Sequence, residues 1–221
     1  MKKRYTMNAT KMLIMGIAAI IGLAGALYLC LSPQFRRQEI HKCATTNENW
    51  QTGTLTETEK AVQEFLPQKT ELVRLAVWVN HQDDPASKGV LRLTVYDTQG
   101  HSLAVCDRET AGLTSGAWEW FDVNVKITVG ETYYFSLEII GEETSLTAVY
   151  RPLWLDRIEE NVQYFYDGEL IEGASAACQY CYRLPLTITE ICIYTAFSLF
   201  FTFAVGELIY RAMRKRHKSE R

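Results

Sequence analysis

Two long apolar runs bracket an acidic centre and limit what this chain can fold into. The first, Met12–Ser32, has 21 residues and no charged side chain. The second, Leu186–Tyr210, has 25 residues, with Glu190 and Glu207 near its two ends, where a carboxylate can reach a membrane interface. At 1.5 Å per residue, either run can cross a hydrocarbon core of about 30 Å. The sequence therefore predicts transmembrane helices over 12–32 and 186–210, in contact with the membrane lipid bilayer.

The distribution of charge predicts the orientation. Residues 33–185 carry 13 basic and 23 acidic side chains, a net charge of −10. Basic residues collect at both ends, and basic segments stay on the cytoplasmic side. Residues 1–11 and 211–221 are therefore expected to be cytoplasmic tails of a cell-membrane protein whose centre is extracytoplasmic. Three basic residues just past the first run oppose this assignment but are outnumbered: Arg36, Arg37 and Lys42.

The first run has an alternative interpretation as a cleaved signal peptide. Ala24-Gly25-Ala26 fits a cleavage site of small residues. The apolar sequence continues beyond it to Leu31, which favours an uncleaved span. Cleavage would leave one span and the same outward domain.

Short alternating segments fill the part between the spans. Residues 33–46 are expected to be a polar connector and 47–183 one domain. In Gly89–Leu103, Leu91, Leu93 and Val95 alternate with other side chains, and Asp97–Gly100 follows as a turn, which is typical of a β-hairpin. Similar alternation assigns to inward faces Val73, Leu75, Val77, Val79, Phe121, Val123, Val125 and Ile127. The predicted fold is an all-β extracytoplasmic domain, an antiparallel β-sandwich of jelly-roll type, flanked by two transmembrane α-helices.

The arrangement of strands, turns and aromatic residues over Ala61–Leu170 resembles a known group of domains. Segments such as GVLRLTVYDTQGHSLA, GAWEWFDVNV and GETYYFSLEI are similar to the jelly-roll ectodomains of bacterial envelope membrane proteins. Those domains resemble non-catalytic carbohydrate-binding modules. The resemblance implies a fold and an envelope setting, and it carries no catalytic residues over to this chain.

An outward aromatic face is the main candidate binding site. If Phe121, Val123 and Val125 face the core, then strand parity turns Trp118, Trp120 and Asp122 the other way. The same parity rule turns three further side chains outward: Trp78, Arg92 and Tyr96. Aromatic rings with polar neighbours can stack on sugars or on a partner protein. Alternatively, a bulge or a covering loop could bury this face.

Four cysteines lie between the spans. Cys43 and the pair Cys178 and Cys181 flank the domain where it leaves the membrane, so a disulfide could tie its first strand to its last. Unpaired thiols fit equally well. A metal site that adds His41 to these cysteines is a third interpretation, but neither cysteine segment has the glycine of a zinc knuckle. We therefore predict no metal and no cofactor.

Signatures of catalysis and of nucleic-acid binding are missing. The sequence contains no GxSxG, HExxH or phosphate-loop motif, so we expect no enzymatic activity. An acidic domain also disfavours nucleic acid, whose backbone needs a basic face. The expected function is binding of a glycan or a protein outside the membrane. The chain would act as an accessory subunit of a cell-surface polysaccharide system, and its partner could be another envelope membrane protein. The alternative is a structural tether that assembles with a partner through its transmembrane helices, with the sandwich as a spacer.

Small residues recur every four positions in both apolar runs. Such spacing lets helix backbones approach closely in lipid. The residues predicted to pack helices together are Ala18, Gly22, Ala26, Ser198, Thr202 and Gly206.

Overall fold

The structure, a computed structural model, describes residues 2–42, 51–55, 60–81, 89–114, 116–141, 146–152, 162–172 and 174–219. The chain forms two units. A helical unit comprises Met1–Arg37 and Pro185–Arg221, and a β unit comprises Gln38–Leu184.

The helical unit consists of two long helices. Helix α1 spans Lys2–Leu31 and α2 spans Ile188–Ser219, so helical structure extends into both predicted tails. Two segments, Ala9–Leu31 and Ile188–Arg216, are long and apolar enough to cross a membrane. Helix α2 begins with a capping box, in which Glu190 accepts the Thr187 amide hydrogen (2.8 Å) and Thr187 Oγ1 accepts that of Glu190 (3.3 Å). This capping interaction explains the presence of the Glu190 carboxylate in the first turn of an apolar helix.

The first sheet of the β unit has seven antiparallel strands. Its order is β1-β13-β4-β9-β12, with β2 paired to β9 and β7 paired to β4. The strands are β1 Gln38–Lys42, β2 Gln51–Leu55, β4 Glu71–His81, β7 Ala117–Lys126, β9 Leu146–Pro152, β12 Ala174–Ala176 and β13 Cys178–Arg183.

The second sheet has six antiparallel strands in the order β11-β10-β3-β8-β5-β6. They are β3 Ala61–Phe65, β5 Val90–Tyr96, β6 Ser102–Glu109, β8 Tyr133–Ile140, β10 Tyr164–Tyr166 and β11 Glu169–Leu170. The predicted hairpin is confirmed as β5 and β6. Its turn is held by Asp97 Oδ1, which accepts the amide hydrogens of Gln99 and His101 (both 2.8 Å), and Gly100 supplies a φ of +81°.

One hydrophobic core joins the inner faces of the two sheets, giving a β-sandwich-like arrangement. Phe65 of the second sheet stacks on Tyr180 of the first, with ring centroids 4.9 Å apart. The predicted inward residues Leu91, Leu93, Val95, Phe121, Val123, Val125 and Ile127 belong to this core.

Two details differ from the sequence-based expectations. Gln38–Lys42, predicted as part of a connector, form β1, which pairs with β13 from Gln38 opposite Arg183 to Lys42 opposite Gln179. Strand β4 has an irregularity between Leu72 and Arg74, so Leu72 rather than the predicted Val73 joins Leu75, Val77 and Val79 in the core. A bulge adds one residue and reverses the parity of the residues before it.

A buried glutamine links the sheets across the core. Gln63 on β3 is 1% exposed, and its Oε1 accepts hydrogen bonds from Ala176 N (2.6 Å) and Ser175 Oγ (3.2 Å) on β12. Its Nε2 donates to the carbonyl oxygens of Glu64 (2.6 Å) and Gln163 (3.3 Å). The side chain thus bridges β3 of the second sheet and β12 of the first, which share no ladder.

We predict that Gln63→Leu destabilises the β unit by about 1–3 kcal/mol, because it keeps most of the volume but leaves buried backbone groups without partners. Chemical unfolding of the purified full chain in detergent, followed by tryptophan fluorescence, measures this. Gln99→Ala, at an exposed turn position, is the control and should change the free energy of unfolding by less than about 0.5 kcal/mol. Equal effects of the two substitutions would contradict a clamping role for Gln63.

Candidate functional site

Three tryptophans lie together on the outer side of the first sheet, as parity predicts. Trp118 and Trp120 are on β7, and Trp78 is on β4 directly opposite Trp118. The rings of Trp78 and Trp118 meet edge to face, with centroids 5.3 Å apart and an interplanar angle of 86°. All three side chains are half-buried, while the neighbouring Phe121 is 1% exposed and lies in the core. With Arg74 and Asp122 they form what we call the tryptophan face.

Small residues lie beneath these indoles. Ala76 pairs with Trp120 across β4 and β7 and is fully buried. Ala177 packs against Trp78 and Trp118, and its carbonyl accepts the Trp78 amide hydrogen (2.9 Å). Alanines at these positions leave room above the strands, which the large rings occupy. The tryptophans therefore rest on a floor of the first sheet rather than filling the space between the sheets.

Arg74 covers part of this surface. Its guanidinium lies 5.0 Å from the centroid of the Trp120 ring, within the range of a cation–π interaction. Its Nη2 donates to Gln38 Oε1 on β1 (3.1 Å) and lies 3.8 Å from Cys181 Sγ. Asp122 is opposite Arg74 in the strand register and is exposed. Arg74 is four residues before Trp78 on β4, so strand parity puts both side chains on the outward side.

The edge strand of the second sheet completes the site. Arg108 on β6 donates from Nη2 to the carbonyl oxygen of Trp120 (2.9 Å). Cys106 on the same strand donates from Sγ to the carbonyl oxygen of Asp122 (3.4 Å). Burial raises the pKa of the Cys106 thiol, and the charge of Asp122 raises it further. The thiol is therefore protonated at neutral pH and is a poor nucleophile. Sequence reasoning missed Arg108, because no local signal shows that β6 runs beside β7.

The structure does not bring Arg92 and Tyr96 to the tryptophan face. Both are on β5, on the outer side of the second sheet, so their grouping with the tryptophans is wrong. Tyr96 Oη accepts a hydrogen bond from Ser136 Oγ (3.4 Å). Parity assigns a residue to a face of its strand but does not reveal which sheet the strand joins.

Arg92 instead belongs to a row of alternating charges across the second sheet. Arg92 forms two 2.8 Å hydrogen bonds to the carboxylate of Asp107, and Lys60 forms an ion pair with Glu138. Glu138 is opposite Arg92 in the register, so the row runs Lys60, Glu138, Arg92, Asp107. The hydrogen bonds raise the pKa of Arg92 and lower that of Asp107, which keeps the pair charged at neutral pH.

The described cysteines of the β unit are free thiols. Cys178 is in the core and donates to Tyr180 Oη (3.4 Å), while Cys181 faces outward and donates to Gln38 Oε1 (3.4 Å). Cys43, the other candidate for a disulfide, lies outside the described residues. Within the described residues, no three metal-ligating side chains converge.

The small residues of the two helices lie at the contact between α1 and α2. A Cβ added at Gly22 would be 2.6 Å from Thr202 Oγ1 and 2.9 Å from Leu199 Cδ2. Ser198 Oγ donates to the carbonyl oxygen of Gly22 (2.8 Å). Ala18 and Ala26 are 6% and 5% exposed, and a Cβ at Gly206 would be 3.3 Å from that of Ala18.

Charged pairs lie at both ends of this contact. Lys11 forms an ion pair with Glu207 (3.4 Å), and Arg37 forms one with Glu190 (2.9 Å). Tyr194 Oη also donates to the carbonyl oxygen of Phe35 (2.9 Å). The helices are therefore in contact along most of their apolar length.

No protein-family model and no curated protein sequence matches the chain. Solved structures give weak likenesses. The mitogen derived from Yersinia pseudotuberculosis aligns with 69% of this chain and 90% of its own at 10% identity, with a TM-score of 0.28. The structure of the infectious bursal disease virus Gx strain aligns with 67% of this chain and 33% of its own at 10% identity (TM-score 0.26). The flagellar cap protein FliD of Escherichia coli, domains D1-D2-D3, aligns with 93% of this chain and 75% of its own at 10% identity (TM-score 0.18).

We predict that Gly22→Leu separates α1 from α2, because a side chain there meets Thr202 and Leu199. The contact should weaken by on the order of 1 kcal/mol. The contact is measured by disulfide formation between cysteines introduced at positions 18 and 206, in a chain that lacks Cys30 and Cys192. The yield of this disulfide should fall in Gly22→Leu. Gly16→Leu is the matched control, since nothing lies within 4 Å of a Cβ at Gly16. Unchanged cross-linking with Gly22→Leu would contradict the packing described here.

Proposed function

We propose that this chain is a non-catalytic binding protein anchored in the cell membrane by α1 and α2, with the tryptophan face as its glycan-binding surface. The observation that carries the proposal is the position of Trp78, Trp118 and Trp120 on the outer side of a sheet, half-buried and supported by small residues. Such rings present apolar surface with nearby polar groups, which is the combination that stacks on a sugar ring.

The membrane part of the proposal rests on composition and charge. Both helices have spans long and apolar enough to cross a bilayer. The basic residues before and after the spans favour cytoplasmic termini, with the acidic β unit on the other side of the membrane. On this proposal the two sheets form a jelly-roll ectodomain of the carbohydrate-binding type, which serves as an accessory subunit of a cell-surface polysaccharide system.

Binding without catalysis fits the chemistry of the face. Its side chains are three indoles, the guanidinium of Arg74 and one exposed carboxylate, Asp122. General acid–base catalysis of sugar cleavage uses two carboxyl groups that flank the bond. The neighbouring thiol of Cys106 is held in its protonated form. Orientation and stacking of a ligand are the tasks that these groups can perform.

A second candidate function is a tether that assembles with a membrane partner through its helices. The observation that favours it is the contact of α1 with α2 through Gly22, Ser198 and two ion pairs, which leaves the outward faces of both helices for a partner. In that case the β unit would act as a spacer and its outer face would need no ligand.

We predict that an impermeant thiol reagent labels Gln99→Cys in intact cells but does not label Lys215→Cys. Gln99 is exposed at the β5–β6 turn, and Lys215 is in the basic end of α2. The parent chain, labelled in parallel, gives the background from native cysteines, and permeabilised cells show that Lys215→Cys is reactive. Labelling of Lys215→Cys in intact cells would overturn the proposed orientation.

We predict that Trp120→Ala removes glycan binding by the full chain in detergent, on a glycan array, without large loss of stability. The half-buried ring should contribute much less to folding than a core aromatic residue, whose truncation costs about 3–5 kcal/mol. Phe121→Ala, at the next residue of β7 and in the core, is the matched control and should lower the melting temperature by many degrees. If Trp120→Ala lowers it as much, or if the parent chain binds no glycan, the tether becomes the better account.

A further inference from the structure

The described arginines of the β unit fall into two groups. On the second sheet, Lys60 and Arg92 lie against Glu138 and Asp107. On the first sheet, Arg183 forms an ion pair with Glu71. Residues 33–185 carry 23 acidic side chains, so carboxylate partners are abundant in this part of the chain.

Two arginines depart from this pattern, and both contact Trp120. Arg74 lies over the indole ring and hydrogen-bonds to Gln38, a neutral amide. Arg108 hydrogen-bonds to the main-chain carbonyl oxygen of Trp120. Among the described residues, neither guanidinium forms an ion pair, although Asp122 is opposite Arg74 in the strand register. An arginine without a carboxylate partner among the described residues, in an acidic domain and beside a half-buried indole, is suited to receive an anion.

We infer that the tryptophan face binds an acidic glycan, with a uronic acid ring against the indoles and its carboxylate on Arg74. This inference rests on the proposed glycan-binding function and specifies the class of sugar. A uronic acid carries its planar carboxylate directly on the sugar ring. One residue of the glycan can therefore stack on an indole and reach a guanidinium held beside that indole. A guanidinium matches a carboxylate with two parallel hydrogen bonds.

The effect of removing the Asp122 carboxylate on affinity distinguishes an acidic sugar from a neutral one. Asp122 adds one negative charge opposite Arg74 in the strand register, and it is exposed. Its carboxylate therefore repels a bound uronate, and its removal strengthens binding. If the ligand were a neutral sugar held by a hydrogen bond to Asp122, the same change would weaken binding.

The experiment compares oligogalacturonate with its fully methyl-esterified form, which has the same ring skeleton without charge. Binding to the full chain in detergent is measured by calorimetry at low and at high salt. We expect the acid to bind about tenfold or more tightly than the ester, as for hydrogen bonds to charged groups, and the difference to shrink at high salt.

Arg74→Gln should abolish the difference in affinity between acid and ester while binding of the ester persists. Arg74→Lys should retain part of that difference. Arg92→Gln, which removes a paired arginine from the second sheet, is the matched control and should change neither affinity. Asp122→Asn should tighten binding of the acid.

The outcomes separate the two levels of the proposal. Two results would overturn the inference and leave the glycan-binding function standing. One is equal binding of acid and ester, and the other is a preference for the acid that survives Arg74→Gln in a chain that melts like the parent. Binding confined to sulfated or phosphorylated glycans, tested in the same series, also overturns it. If no glycan of any charge binds, the proposed function fails as well. Melting curves of each variant show whether a loss of binding comes from unfolding.

Discussion

The antiparallel ladder between β1 and β13 is the constraint on which the rest of the β unit depends. It places Gln38 opposite Arg183, so the two ends of the unit lie side by side. A domain inserted between two antiparallel helices needs this closure, because the helices lie in contact. β13 also carries Tyr180 and Tyr182 into the core and pairs with β4 on its other edge. Gln38 in turn accepts a hydrogen bond from Arg74, so the closing strand also orients a side chain of the tryptophan face.

The two outer faces of the sandwich-like unit differ in their electrostatics. Across the second sheet, the charges of Lys60, Glu138, Arg92 and Asp107 alternate and largely cancel. Exposed pairs of this kind contribute little to stability and leave little charge for a ligand. On the outer side of the first sheet, Arg74 lies over the Trp120 ring and, among the described residues, forms no ion pair. This asymmetry is independent of the burial of the tryptophans, and it supports the proposed binding surface on the same sheet.

Strand parity predicted the face of a residue wherever the strand is regular. On β7 the rule placed Phe121, Val123 and Val125 inward and the tryptophans outward, and the structure confirms this assignment. It failed at Val73, because the irregularity after Leu72 shifts the parity within β4. It missed β1, whose polar sequence QEIHK shows no apolar alternation, since its pairing with β13 is a long-range effect. For the same reason the rule grouped Arg92 with Trp118, although their strands belong to different sheets. The neighbours of a site, such as Arg108, come from strand order, which short segments do not encode.

The contact between α1 and α2 bears on the choice between a binding protein and a tether. The small residues that would let a partner helix approach closely are Gly22, Ser198 and Gly206, and all three lie at the contact between the chain's own helices. A partner would therefore have to bind the outward faces, where large side chains such as Phe197, Phe200 and Phe201 are exposed. Lipid chains can cover such side chains without a specific partner, because apolar surfaces have no hydrophobic driving force to associate within a bilayer. The small residues thus account for the contact between the chain's own helices, so they give no separate support to the tether.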